Sequence, residues 1–119
     1  MTRELVSERD NLDIKVDHGE ERAFVRLRGR LGIDSSPNLR DRIQAILQEQ
    51  APKTIIVDLA EVSHIDASGI ATLLEALKIA RNRQATLCLQ GLQSPMVRLF
   101  EVTGLQAVFE TACKAGAQS

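Results

Sequence analysis

The sequence predicts an α/β fold: a single domain with a mostly parallel sheet, helices packed against it and an antiparallel strand at its N-terminal edge. Strand-like and helix-like segments alternate along the 119 residues in the order β-β-α-β-α-β-α-β, which is typical of parallel sheets joined by helical crossovers. The run Ile55-Ile56-Val57 has no polar alternation, which indicates a strand buried on both faces. The first two strand-like segments are joined by a short connection, which makes the first of them antiparallel.

The first strand is predicted from the alternation of Leu12, Ile14 and Val16 with charged residues. Residues 18–21 read as a turn and residues 23–28 as the second strand. Residues 29–34 contain two glycines and are predicted to form a loop. The polar residues 1–11 are expected to form a loose N-terminal arm.

The first helix is predicted to begin at Ser36 as N-cap with Pro37 as its first residue, because both residue types are favoured there. Apolar residues then recur at helical spacing through residue 47. The third strand is predicted at residues 55–57 and is closed by Asp58. Residues 61–69 read as a polar connection.

The second half of the chain begins with the strongest helical stripe, formed by Ile70, Leu73, Leu74 and Leu77. A strand is predicted at residues 85–89, and a helix is predicted with Ser94 as its cap, Pro95 in its first turn and a stop at Gly104. Residues 107–109 are predicted to form a last short strand. The domain is therefore expected to span residues 12–112, followed by a short tail at residues 113–119.

Composition excludes several classes of function. Lys plus Arg number 15, Asp plus Glu number 16, and aromatic residues make up only 3%, so neither a basic surface nor stacking rings for nucleic acid are expected. No apolar run is long enough to insert into a membrane, and the N-terminus lacks the apolar core of a signal peptide, so a cytoplasmic location is expected. The histidines and cysteines are too dispersed to predict a metal site, and no cofactor is expected.

Two catalytic interpretations fail on the arrangement of their residues. His64, Asp66 and Ser68 include the residue types of a hydrolase triad, but they lie in a row along one segment, whereas triad members converge from separate elements. Asp58 ends an apolar strand like the acceptor of a receiver domain, but no acidic pair follows the first strand to hold a metal ion. No catalytic residue is therefore predicted, and Asp58 is expected to satisfy nearby backbone donors.

The segment Asp66-Ala67-Ser68-Gly69 lies at the start of the strongest helix. Asp66 or Ser68 can cap the free N–H groups of the first turn, and capping is the favoured interpretation. A helix N-terminus also tolerates a phosphate, which would add about 1.5 to 2 negative charges and could switch the docking of a partner.

Three stretches together resemble the STAS domains of bacterial anti-sigma-factor antagonists. Residues 54–74 (TIIVDLAEVSHIDASGIATLL) are similar to the family pattern of an apolar strand ending in Asp-Leu, a short connection, and Asp-Ser-Ser-Gly or Asp-Ser-Thr-Gly opening a Leu-rich helix. Residues 27–31 (LRGRL) and 97–105 (VRLFEVTGL) resemble two further family motifs. The resemblance implies a STAS-type domain, usually with one more C-terminal helix, which looks short or missing here.

The resemblance also implies a non-enzymatic regulator that binds an anti-sigma factor or a related serine kinase. It further implies that this kinase can phosphorylate the regulator. The usual phosphoacceptor position holds Ala67, which leaves Ser68 as the candidate, and Gly29-Arg30-Leu31-Gly32 lacks the acidic residues common in the family. Asp66 would orient the loop, and Gly69 would allow either the close approach of a partner or a tight start to the helix. The expected partner-binding residues are Gly29, Arg30, Asp34, Ser35, Asp66, Ala67, Ser68, Gly69 and Ile70.

A second role remains open on the same resemblance. STAS-like domains also serve as accessory subunits of membrane transporters, including lipid-exporting ABC systems. In that role the start of the same helix would contact a transporter subunit, and no kinase would be needed. The absence of a hydroxyl at Ala67 is compatible with this alternative.

Overall fold

A computed structural model describes residues 12–109 of the chain. The sequence predictions for the arm at 1–11, the end of the domain at 110–112 and the tail at 113–119 lie outside these residues. Four strands form one sheet in the order β1-β2-β3-β4. They span Leu12–His18, Arg22–Leu31, Thr54–Ile65 and Thr86–Gln90. β1 is antiparallel to β2, and the β2–β3 and β3–β4 pairs are parallel, which confirms the predicted fold class.

The helices follow the strands as the apolar spacing predicts. They span Ser36–Glu49 (α1), Ala67–Asn82 (α2) and Ser94–Thr103 (α3). The N-cap of α1 is Ser35 rather than the predicted Ser36, which is already the first helical residue. The N-cap of α3 is likewise Gln93 rather than Ser94, and Gly104 ends this helix with a positive φ of 78°, as predicted for a C-terminal glycine.

One face of the sheet carries the core. Along β2 every second residue from Ala23 to Leu27 is buried, and β3 contributes Ile55, Val57 and Leu59 to the same apolar cluster. The opposite face holds the exposed side chains of Lys15 and Arg26. Ile56 on that face is only half-buried, so the prediction that β3 is buried on both faces was wrong.

β2 and β3 are both longer than the sequence predicts. β2 continues through Gly29 and Arg30 to Leu31, residues that were predicted to lie in a loop. β3 continues to Ile65 across most of the predicted polar connection. From Arg26 to Arg28 β2 advances two residues while its partner advances three, and a second shift follows at Gly29–Arg30. These bulges give β3 two extra residues and disrupt its period-two pattern, so its buried residues become Leu59, Val62 and Ile65.

The C-terminal part of the described chain is helical. Residues 105–109 form helix instead of the predicted strand, and the rest of the region where an additional helix looked short or missing lies outside the described residues. Phe109 is buried, and its ring centroid lies 6.0 Å from that of Phe100 at an interplanar angle of 39°. The three-residue apolar run at 107–109 is too short to distinguish a strand from a helix, and contact with Phe100 accompanies the helical form.

Candidate functional site

The candidate site is the corner formed where β2 and β3 end, and we use "the corner" for residues 29–36 and 66–70. Leu31 and Ile65 are paired at the ends of the two parallel strands. The loop before α1 and the start of α2 therefore leave the sheet side by side. In addition, the Asp66 N–H donates to the Leu31 carbonyl at 3.2 Å. The structure thus brings together the two segments that the sequence predicts as one surface.

Asp66 is the N-cap of α2. Its backbone is extended, with φ −113° and ψ −173°, and its Oδ1 accepts a hydrogen bond from the Gly69 N–H at 3.1 Å. This side chain thereby satisfies one of the free donors of the first turn. Within the described part of the chain the Ser68 hydroxyl makes no hydrogen bond, so of the two predicted capping candidates Asp66 has the capping role.

Gly69 lies inside the corner rather than on its surface. A Cβ at this position would lie 2.6 Å from the Leu31 carbonyl oxygen and 2.8 Å from Ile65 Cγ1. The absence of a side chain therefore lets the first turn of α2 pack directly on the end of β2. Of the two expected roles for Gly69, the structure supports the tight start of the helix, because the residue is buried and its Cα packs closely on Leu31 and Ile65.

Ser35 also supports the corner from within, because it is buried. Its hydroxyl donates to the Arg30 carbonyl at 3.0 Å and accepts from the Gly32 N–H at 3.0 Å. The Ser36 hydroxyl donates to the Gly32 carbonyl at 2.7 Å. These bonds hold the tight loop between β2 and α1, and they leave Ile33 projecting from it with 70% of its surface exposed.

The outer surface of the corner is mixed in chemistry. Arg30, Asp34 and Ala67 are exposed, whereas Ser68 and Ile70 are half-buried. Gly29 has a φ of 113° beside the second bulge, and the Ser63 hydroxyl donates to its carbonyl at 3.2 Å. Ile33 was missed among the candidate residues; the signal for it is a large apolar residue within a loop of glycines and polar residues.

The structure also bears on the rejected catalytic interpretations. Among residues 12–109, none of the side chains of His64, Asp66 and Ser68 hydrogen-bonds to another of the three. Asp58 lies within β3, and its Oδ1 accepts a hydrogen bond from the Ala60 N–H at 2.9 Å, in line with the predicted backbone role. Residues 12–109 contain no cluster of three or more potential metal ligands, and none of their helices has the length and hydropathy of a membrane span.

Comparison with known proteins places these motifs in a family. The family model described as "Mlab, STAS domain" matches residues 14–110, which include the corner, most of β1 and the whole of β2, β3 and β4. The chain belongs to the STAS-domain family. The match covers most of the chain, so the STAS assignment extends well beyond the short signature at the start of α2.

Curated relatives of this STAS domain include two proteins named anti-sigma-B factor antagonist. The protein of Bacillus subtilis is 26% identical over 105 residues, which cover 88% of this chain and 94% of the relative. The protein of Listeria monocytogenes is 29% identical over 101 residues, covering 84% of this chain and 88% of the relative. The aligned regions thus span nearly the whole of both relatives.

Solved structures share the fold. The Bacillus cell fate determinant SpoIIAA in its phosphorylated form superimposes with a TM-score of 0.66 at 22% identity, covering 80% of this chain and 86% of that one. The murine anion transporter Slc26a9 superimposes with a TM-score of 0.70 at 12% identity, covering 84% of this chain but only 20% of the transporter. The same fold therefore occurs as a separate small protein and as part of a transporter chain.

Gly69→Ala is predicted to destabilise the domain. Alanine normally favours a helix over glycine by about 1 kcal/mol, but here the added Cβ meets a backbone oxygen that cannot easily move. The expected loss is about 1 to 3 kcal/mol in the free energy of unfolding, measured by urea denaturation. Gly19→Ala is the control, because its Cβ would lie 3.5 Å from the nearest atom. A Gly69→Ala variant more stable than the wild type would contradict the packing described here.

Asp66→Ala and Ser68→Ala separate the capping role from the other roles of the corner. Removing the Asp66 carboxylate leaves the Gly69 N–H without its partner, and the expected cost is about 1 kcal/mol in the free energy of unfolding. Ser68→Ala removes a hydroxyl that is not bonded, so the change is expected to stay within about 0.5 kcal/mol. Thermal and urea denaturation of both variants measure the difference, and the reverse order would refute capping by Asp66.

Proposed function

We propose that this STAS domain is an anti-sigma-factor antagonist, a non-catalytic regulator that binds an anti-sigma factor or related serine kinase in the cytoplasm and thereby frees a sigma factor. The observation that carries the proposal is the joining of two family motifs, at residues 27–31 and 66–70, in one partly exposed corner. The two antagonist relatives, aligned over nearly their whole length, support it. The contact surface consists of Arg30, Ile33, Asp34 and Ala67, with Ser68 and Ile70 beside them.

Ile33 is the apolar anchor of this contact surface. Ile33 is a large apolar side chain with 70% of its surface exposed. Burial of that surface against a partner would stabilise the complex. The loop that carries it is held by the buried hydroxyls of Ser35 and Ser36. Little ordering is therefore needed when a partner binds, and pre-organisation of this kind favours affinity.

The basic test is a competition experiment that follows identification of the partner. The chain is used as bait in its native cell, and the recovered kinase-type protein is then purified with its bound sigma factor. Adding the STAS domain is expected to release the sigma factor, which light scattering or a transcription assay detects. Recovery of membrane-transporter subunits without any kinase-type protein would instead contradict the antagonist proposal.

The transporter interpretation is the second candidate. It is favoured by Ala67, which removes the hydroxyl at the usual phosphoacceptor position, and by the occurrence of this fold within an anion transporter. In that role the corner would contact a transporter subunit, such as the ATPase of a lipid-type ABC system. The bait experiment distinguishes the two candidates through the class of protein recovered.

Ile33→Glu is predicted to weaken partner binding by roughly tenfold or more, because a charge would replace the apolar anchor. Val102→Glu is the matched control: Val102 is 80% exposed, lies in the last turn of α3 and is expected to keep its affinity within about twofold. Calorimetric titration measures both, and thermal melting verifies folding. Equal losses for the two variants would exclude Ile33 as the anchor.

Ser68 is predicted to be the residue that the partner kinase phosphorylates. Ser68 is half-buried, its hydroxyl makes no hydrogen bond in the described part of the chain, and the N-terminus of α2 favours the added negative charge. Incubation with the kinase and ATP, followed by mass spectrometry, is expected to locate one phosphate on Ser68. Ser68→Ala should abolish it, whereas Ser63→Ala should not. Phosphate at another residue, or no phosphate at all, would contradict the prediction that Ser68 is the phosphorylated residue.

A further inference from the structure

β1 is an edge strand of the sheet, and its outer edge is open among the described residues. β1 pairs with β2 on one side, and within residues 12–109 no strand pairs with its other side. Alternate residues along this seven-residue strand therefore direct their N–H and C=O groups away from β2, with no strand partner among the described residues. Such an edge is a template for another strand, and natural proteins either block it or use it.

The side chains of β1 alternate strictly. Leu12, Ile14 and Val16 lie half-buried on the core face, while Asp13, Lys15 and Asp17 are exposed on the other face. In an antiparallel pair, directly opposed residues lie on the same face of the sheet. A second copy of β1 can therefore add to this edge only in registers that oppose charged residues to charged residues and apolar residues to apolar ones.

The order of the charges selects among these registers. A two-fold pairing centred on Lys15 opposes Lys15 to Lys15 and Asp13 to Asp17, so every charged contact is repulsive. A pairing centred on Ile14 opposes Asp13 to Lys15 twice, Leu12 to Val16 twice, and Ile14 to itself. The pairing centred on Val16 also opposes unlike charges, but it places Ile14 against His18. Of these three, the Ile14-centred register alone satisfies both faces.

We propose that two copies of this chain form a symmetric dimer by antiparallel pairing of their β1 strands, centred on Ile14, so that one sheet continues across both copies. A two-fold axis through identical patches is the commonest arrangement of homodimers. The proposal rests on β1 itself and is independent of the partner that the corner binds.

A groove beside β1 supports the assignment. It has a volume of about 480 Å³ and runs between β1 and α1. Its lining includes Leu12, Ile14 and Ala45 together with Asp13, Asp41 and Arg42, so a two-fold mate would meet charges of both signs. The added strand would cover the half-buried apolar side chains. Because β2 reverses direction across the axis, the two corners would lie at opposite ends of the continuous sheet.

Light scattering and sedimentation over a range of concentrations test the dimer. The wild type is expected to be dimeric at high concentration and to dissociate on dilution. Lys15→Glu replaces both attractive contacts with repulsion between the introduced carboxylate and Asp13 of the other copy, and is expected to raise the dissociation constant roughly tenfold or more. The double variant Asp13→Lys/Lys15→Glu restores opposite charges and is expected to recover the dimer.

Lys78→Glu is the control, since Lys78 is exposed on α2 away from the β1 edge, and it is expected to leave the dimer unchanged. Circular dichroism verifies that each variant is folded. A wild type that stays monomeric at all concentrations overturns the proposal. A dimer that Lys15→Glu leaves intact, or a folded double variant that stays monomeric, overturns the β1 register.

Discussion

The parallel pairing of β2 with β3 is the constraint on which the corner depends, because it extends to Leu31 and Ile65 at the ends of both strands. Two bulges in β3 make this possible by taking up the extra residues of the longer strand. The loop before α1 and the first turn of α2 then begin at the same level of the sheet. Gly69 completes the arrangement, since any side chain there would collide with the Leu31 carbonyl.

Neighbouring residues of the corner have different structural roles. Asp66 and Ser35 use their side chains to satisfy backbone groups, and Gly69 permits close packing. Ile33 and Ser68 do not stabilise the corner in these ways. Ile33 projects into solvent, and the Ser68 hydroxyl makes no hydrogen bond in the described part of the chain. The exposed side chain of Ile33 and the hydroxyl of Ser68 therefore lie outside the set of hydrogen bonds that hold the corner together.

Sequence patterns predict the parts of this protein that have a regular period. The alternation in β1 and the stripe of α2 recur often enough to define both elements and their buried faces. The second half of β3 was missed because its bulges change the spacing of buried residues from two to three. The helix at residues 105–109 was read as a strand because three apolar residues carry no period.

The same limit applies to the site. The cap at Asp66 could be predicted, since a carboxylate before a helical stripe is a local signal. The buried positions of Gly69 and Ser35 could not be predicted in this way. The position of Gly69 depends on the contact between α2 and β2, and that of Ser35 depends on hydrogen bonds within a loop, which have no local sequence pattern. The sequence therefore predicts the two segments that meet at the corner, but it does not separate their buried residues from their exposed ones.

The most direct test of the corner as a binding surface is a nuclear magnetic resonance titration of the labelled domain with its purified anti-sigma partner. The backbone signals of residues 30–36 and 66–71 are expected to shift or broaden, while those of α3 and residues 105–109 stay in place. Perturbations confined to α3 or to the exposed face of the sheet, with the corner unchanged, would contradict the central claim that the ends of β2 and β3 form the binding surface.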